Sequence, residues 1–315
     1  MKVLVTGASG YLGSRICEFL SIEGEYEVHR LSREVSDGPH HTIFRPMVDR
    51  TDAETLRSYC DGIDAIVHTA GINAAGCIRD PKLAFEFNVG FTKKLLSAAI
   101  ECSVNKFVYF STAHVYGSPL VGRLTESTVV NPMHPYAVSR KAAEHLVIEA
   151  AEREDIGGVV LRLSNAYGPP VSMHPDCWGL VFNDLSKQAV EKQKLILKTT
   201  GLQRRDFITI SEVCRVVKHF LQLSRCKLDY SVFNVGGDWP LTIVDVAELI
   251  SERVNACLGF SPEIIRQRDG QMQTSKDLQY DRSRLQASGF IPIDNRVSEL
   301  DALIDFCFAN FTQDN

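Results

Sequence analysis

Residues 2–13 read KVLVTGASGYLG. A short apolar run leads straight into glycines at 7, 10 and 13, and helical apolar spacing takes over from Tyr11. A strand that turns at once into a helix with this glycine spacing admits few folds. Gly7 permits the tight turn. Gly10 lets backbone approach a pyrophosphate at the positive end of the helix, and Gly13 allows close packing of helix on strand. Gly7, Ser9, Gly10, Tyr11, Leu12 and Gly13 are therefore the expected seat of a dinucleotide.

The rest of the first half alternates in the same way. Strands are expected at 26–31, 65–68, 106–111 and 158–162. Asp80-Pro81 reads as a cap and first turn for a long helix over 82–102, and another long helix covers 136–152. Strands separated by helices make βαβ units and a parallel sheet, and right-handed crossovers wind it on both faces. After Pro169-Pro170 the pattern loosens, with helices at 180–191 and 244–258. The expected fold is α/β, a Rossmann doubly wound parallel sheet with a smaller, discontinuous C-terminal substrate lobe. The sheet domain takes 1–169 plus 208–236, and the lobe 170–207 plus 237–315. A chain of 315 residues suits this division.

Charge and cysteine usage narrow the partners. The net charge is −5, so no basic face for nucleic acid is expected. None of the nine cysteines forms a C-x-x-C pair, and the nine histidines lack metal-ligand spacing. Reduced thiols and no metal are expected. No apolar run reaches the ~20 residues of a membrane span. A strand beginning at residue 2 leaves no room for a signal peptide, so a cytoplasmic location is expected.

The end of the second strand bears on cofactor choice. An acidic residue there would hold the adenosine ribose diol. This chain has His29-Arg30-Leu31-Ser32-Arg33 instead. The Ser32 hydroxyl and Arg33 guanidinium suit a 2′-phosphate, which favours NADP. Glu34 could still serve a diol, which keeps NAD as the alternative.

With these residues in hand, the chain resembles the extended short-chain dehydrogenase/reductase family, the NAD-dependent epimerase/dehydratase group, over nearly its whole length. The landmarks come in order: TGASGYLG at 6–13, VDRTD at 48–52, VHTAG at 67–71, NVGFT at 88–92, FVYFSTAHVYG at 107–117, PYAVSRKAAE at 135–144, RLSNAYGPP at 162–170, RRDFITISEV at 204–213 and FNVGG at 233–237. The resemblance implies that Asp49 and Arg50 line the adenine pocket, that Ala70 approaches the cofactor, and that Asn88 braces the loop nearby. It implies a nucleotide-diphosphate sugar as substrate, met by Asn165, Arg205 and Arg266. Two arginines and an amide suit a diphosphate in a cleft. It also implies that Thr112 hydrogen-bonds the substrate oxygen. A homodimer is implied as well, paired through the helices at 82–102 and 136–152, whose outer faces include Phe85, Leu95, Leu96 and Ile100.

The catalytic pair departs from the family. Hydride transfer at a sugar carbinol needs a proton moved on or off its oxygen, and a tyrosine does this when a fixed cation favours its phenolate. A cation ~5 Å away at an effective dielectric of ~20 supplies about 3 kcal/mol. Tyr136 and Arg140 are four apart on one helix face, whereas Lys141 is rotated by roughly another 100°. Arg140 thus takes the position where the family has lysine. It keeps the charge and can fork to ribose hydroxyls, but it stays protonated and relays no proton.

The family's 4,6-dehydratases carry Asp-Glu directly after the threonine, whereas this chain has Ala113-His114. Water elimination is therefore disfavoured. What remains is hydride transfer at sugar C4, as in a 4-ketoreductase or dehydrogenase, or transfer both ways, as in a 4-epimerase. The dissociable NADPH that Ser32-Arg33 suggests favours the reductase. A non-catalytic dinucleotide-binding protein, which the intact Thr112 and Tyr136 oppose, is the alternative from another class. A reductase of non-sugar carbonyls is weaker, because Arg205 and Asn165 suit a diphosphate.

Overall fold

The computed structural model describes residues 1–33, 42–49, 51–224, 230–266 and 277–312. The chain begins β1 (Lys2–Thr6), α1 (Tyr11–Ile22), β2 (Glu27–Ser32), β3 (Thr42–Pro46), α2 (Ala53–Cys60), β4 (Ala65–His68), α3 (Ala74–Arg79) and α4 (Pro81–Phe85). It continues through α5 (Thr92–Glu101), β5 (Lys106–Thr112), β6 (Gly122–Leu124), α6 (Pro135–Glu152), β7 (Gly157–Leu163) and β8 (Asn165–Tyr167). Then come α7 (Val181–Lys192), β9 (Lys194–Leu197), β10 (Arg204–Thr209), α8 (Ile210–Gln222), β11 (Val232–Val235) and β12 (Pro240–Thr242). The last elements are α9 (Ile243–Leu258), β13 (Glu263–Arg266), β14 (Leu278–Tyr280), α10 (Ser283–Ala287) and α11 (Arg296–Phe311).

Seven parallel strands form the main sheet in the order β11-β7-β5-β4-β1-β2-β3. The inner strands are buried on both sides, as a sheet sandwiched between helix layers must be. Ile16, Leu20, Val213, Val217 and Phe220 cover one face, from α1 and α8. Leu56, Leu95, Ala99, Ala143 and Val147 cover the other, from α2, α5 and α6. Strand order reverses between β1 and β4, and the carboxyl ends of strands at such a point open a crevice for a ligand. A second core, with Phe182, Phe207, Val246, Ile250, Leu303 and Ile304, joins α7, α9 and α11 into the smaller lobe. Strand β10 pairs in parallel with β8 and antiparallel with β12, in a separate three-stranded sheet.

Two sequence expectations need correction. The helix expected over 82–102 is not one regular α-helix: residues Glu86–Phe91 form a π-helical segment between α4 and α5. Asp80 does cap its start, accepting from the Leu83 amide at 2.9 Å. Leu95 and Leu96, expected on an outer face, are buried in the sheet-side core, whereas Phe85 is exposed. Ile100 is half-buried against that core. Strand β3 had no sequence expectation at all.

Candidate active site

The glycine loop closes as its spacing requires. Gly7 has φ +68°, and a β-carbon there would lie 2.8 Å from the Ala70 backbone. A β-carbon on Gly13 would overlap the Gly7 carbonyl oxygen. The N-cap of α1 is Gly10, exposed and with no side-chain cap, so the first amides of the helix have no protein side chain upon them. Tyr11 faces away from this end: it is buried, and its hydroxyl donates to the Gly168 carbonyl at 2.8 Å. Ser9 is exposed and Leu12 half-buried. This uncapped, glycine-walled helix end fits a dinucleotide pyrophosphate.

Around it, Ser32 is buried at the end of β2 and Arg33 is exposed just beyond. Asp49 is exposed after β3. Its carboxylate accepts from the Thr51 amide at 2.6 Å and hydroxyl at 2.8 Å, bonds that hold its pKa below the ordinary range. Arg50 and Glu34 lie outside the described residues. The π-helical segment carries Asn88, 1% exposed. Its Oδ1 accepts from the Ile72 amide at 2.7 Å, and its Nδ2 donates to Ser139 Oγ at 2.9 Å, so it ties the loop after β4 to α6.

His68, at the end of β4, locks this junction. It is fully buried, hydrogen-bonded to Thr6 Oγ1 at 2.6 Å and Thr92 Oγ1 at 2.9 Å. The Thr92 hydroxyl donates to the Asn88 carbonyl. The His68 Nε2–H therefore donates to Thr92, and Nδ1 accepts from Thr6. Burial first, and the Arg140 cation second, lower the His68 pKa from 6.5 to about 3. A folded-state value below the unfolded one means that the stabilisation is complete above about pH 6.5 and is lost as pH falls toward 3. Between pH 6.5 and 5 the loss is about 2 kcal/mol. Urea unfolding of wild type and His68→Asn at pH 7 and pH 5 should show a smaller pH difference in the variant. An identical difference would remove His68 as its source.

Helix α6 starts at Pro135, and His134 caps it by accepting from the Tyr136 amide at 3.1 Å. One turn later Arg140, 5% exposed, sits with its Cζ 5.2 Å from the Tyr136 ring centroid and 5.9 Å from that of Tyr109. Its Nη1 makes only long bonds, 3.4 Å each, to the Ala70 and Phe110 carbonyls, and its buried Nε has no partner. Among the described residues no carboxylate pairs with it. Burial would lower its pKa, but the Tyr136 and Tyr109 hydroxyls raise it more, so it stays a cation above the ordinary range. Burial pushes the Tyr109 phenol up to about 12. Of the two phenols beside Arg140, Tyr109 is thus fixed as a neutral wall, and half-buried Tyr136 is the one open to the cleft. Arginine donors left over in a buried position suit the hydroxyls of a nicotinamide ribose.

Lys141 is engaged elsewhere. Its Nζ pairs with Glu144 at 2.9 Å, and Glu144 pairs with Arg162 at 2.8 Å through Arg162 Nε. Arg162 donates on to the Tyr116 hydroxyl at 2.9 Å, which donates to Asn234 Oδ1 at 2.6 Å. This buried chain joins α6 to β7 and β11, and no spacing in the sequence signals it.

Thr112 ends β5, buried, and its Oγ1 accepts from the His114 amide at 3.3 Å. His114 reaches solvent, yet desolvation in the cleft, with Arg205 and His134 nearby, holds its pKa below the ordinary value. Arg205 lies on β10 and is half-buried, and desolvation lowers its pKa. No side-chain hydrogen bond or ion pair joins it to another described residue. Asn165 opens β8, and its Nδ2 donates to the Asp206 carbonyl at 2.9 Å, beside Arg205. Asp206 in turn accepts from the Gly237 amide at 3.0 Å and the Trp239 amide at 2.8 Å, which fixes β10 on the 236–239 turn. Arg266 is exposed at the far end of β13, paired with Leu197, and no bond ties it to these residues. Thr112, Tyr136 and Arg140, with Arg205 near His114, thus gather at the carboxyl ends of β4 and β5 and the amino end of β10.

No described helix is long and apolar enough to cross a membrane. No group of histidine, cysteine and acidic side chains among the described residues could hold a metal.

Known proteins share this architecture. The model of the NAD dependent epimerase/dehydratase family matches residues 3–236. An uncharacterized UDP-glucose epimerase, YtcB, of Bacillus subtilis (strain 168) is 29% identical over 282 residues, 84% of this chain and 86% of that one. A dTDP-D-glucose 4,6-dehydratase of Mus musculus is 29% identical over 267 residues, 78% of this chain and 71% of that one. The UDP-glucuronic acid 4-epimerase from Bacillus cereus, solved with UDP-glucuronic acid and NAD, is 25% identical, with a TM-score of 0.78 over 98% of this chain and 99% of that one. The glycine-walled helix end, the strand-end crevice and a family match spanning most of the chain agree: this protein belongs to the NAD-dependent epimerase/dehydratase family.

Proposed function

We propose that the protein moves a hydride at C4 of a nucleotide-diphosphate hexose, with Tyr136 moving the C4 hydroxyl proton. The carrying observation is Arg140, a buried cation without a carboxylate, set against the one phenol that opens to the cleft. When bound, the nicotinamide dinucleotide supplies the hydride acceptor or donor. The turn from Gly7 to Gly13, through Ser9, Gly10 and the backbone of Tyr11 and Leu12, seats its pyrophosphate, while Ala70 and Arg140 flank its ribose side and Asn88 braces the loop behind them. Ser32, Arg33 and Asp49 border the adenosine. On the sugar, Thr112 donates to or accepts from the C4 oxygen, and Tyr136 takes the hydroxyl proton as C4 is oxidised and returns it as C4 is reduced. Asn165, Arg205 and Arg266 meet the diphosphate, in a lobe made of 170–207 and 237–315. Buried Ala113 beside His114 offers no acid–base carboxylates, which disfavours a 4,6-dehydratase. Exposed Leu83, Phe85 and Val138 on α4 and α6 support a homodimer through this face.

Two outcomes of this chemistry diverge after the first transfer. NAD-bound 4-epimerase relatives favour return of the hydride to the other face of the same sugar. Ser32 and Arg33 favour a single transfer with dissociable NADPH. Purification and then release of bound nucleotide separates them. Tightly held NAD together with interconversion of C4 epimers establishes the epimerase. Protein free of nucleotide that reduces 4-keto sugars with NADPH establishes the ketoreductase. Failure to act on either substrate set would overturn the C4 chemistry.

A further inference from the structure

Gly71 comes after Ala70 in the VHTAG loop and is the residue that Arg140 packs upon. Its φ lies outside the left-handed region, so its backbone is one that any residue adopts. Glycine is nonetheless required in the structure as it stands. A β-carbon at 71 would overlap Arg140 Nη2 and lie 2.6 Å from Cζ and 2.9 Å from Nη1. All three nearest atoms belong to the Arg140 guanidinium. This differs from Gly7 and Gly13, whose nearest neighbours include backbone that cannot withdraw. The three closest obstacles to a side chain at 71 are thus all in the arginine head.

Where it stands, that head is set among four groups of the site. The Tyr109 and Tyr136 ring centroids lie 5.9 and 5.2 Å from its Cζ, and the Phe110 and Ala70 carbonyls receive Nη1. A lysine has a smaller, single-nitrogen head and would leave the volume over Gly71 partly empty. We infer that Gly71 is a positioning residue for Arg140. The missing side chain makes the room in which a guanidinium, rather than an ammonium, holds its charge against Tyr136. Residues 71 and 140 form a size-matched pair. A methyl at 71 would push the guanidinium away from both Tyr136 and the ribose side of the cofactor seat. This rests on the roles proposed for Tyr136 and Arg140.

The test is a double-mutant cycle of Gly71→Ala and Arg140→Lys, read in two independent ways. The first is affinity for NADH alone, by fluorescence titration, with no sugar present. Gly71→Ala should weaken NADH at least about 10-fold in the Arg140 background and less than about 3-fold in the Arg140→Lys background. The second is the split between kcat and KM on the C4 substrate. Gly71→Ala should lower kcat at least about 10-fold while changing KM by less than about 3-fold, and should not lower kcat further when added to Arg140→Lys. If Gly71→Ala alone does not fold while the double variant does, the size match stands. Equal losses in both backgrounds, or a double variant that also fails to fold, overturn it. Absence of turnover with every sugar would sink the C4 chemistry, whereas the NADH cycle would still decide the pairing of 71 with 140.

Discussion

Tyr136→Phe should lower kcat by roughly 10³-fold and change NADH affinity by less than about 3-fold. The phenol lies at the mouth of a cleft whose inner wall is a buried cation. Removing its oxygen removes the group that exchanges the C4 hydroxyl proton, while the ring still covers Arg140 and the glycine loop is untouched. Arg140→Met should fall in the same direction but weaken NADH as well, because by the role proposed above the guanidinium, whose buried Nε has no protein partner, meets the cofactor ribose. Steady-state kinetics and fluorescence titration on the three proteins measure both. If Tyr136→Phe retained more than about a tenth of wild-type turnover, another group would be moving the proton.

The second large effect is on stability. Glu144 is 0% and Arg162 is 4% exposed, and they share two bonds, at 2.8 and 3.2 Å. Lys141 adds a second cation to the same carboxylate. Burial works against the Glu144 charge, but its bonds to Arg162 and Lys141 hold its pKa below the ordinary value. Glu144→Leu strands a buried guanidinium and should cost about 3–5 kcal/mol. Adding Arg162→Met replaces both charges by apolar groups and should recover most of that loss, since a buried pair and its hydrophobic substitute are often close in energy. Urea unfolding of the two variants tests this. A single variant costing under about 1 kcal/mol would mean that water reaches the pair.

The two halves of the molecule differ in how far local pattern reveals them. The turn at Gly7–Gly13 was readable because its constraints are local: one φ, one close approach and one helix end. Tyr136 and Arg140 were readable because four residues along a helix bring two side chains to one face. Strand β3 was not readable, because TIFRP at the sheet edge is only partly buried and has no apolar run. The π-helical segment keeps the length and composition of a helix, so nothing in the spacing marks the change of register around Asn88. Leu95 and Leu96 are adjacent and point about 100° apart. Pattern alone lets either be outward, but α5 is covered on both flanks, so both are buried. Glu144 and Arg162 are charged and far apart in sequence, and no local rule marks such residues as core. The role of Gly71 depends on a guanidinium arriving from another element, and such contacts are visible only in three dimensions.

The most direct measurement uses a nucleotide-diphosphate hexose deuterated at C4. Mix it with wild-type protein and the oxidised cofactor, then trace the label by mass spectrometry in sugar and nicotinamide. Deuterium should appear on the nicotinamide ring, or return to C4 of the inverted sugar, in wild type and not in Tyr136→Phe. Label that stays at C4 of sugar that is never inverted, with none on the nicotinamide, while the cofactor is bound, would contradict hydride transfer at this site.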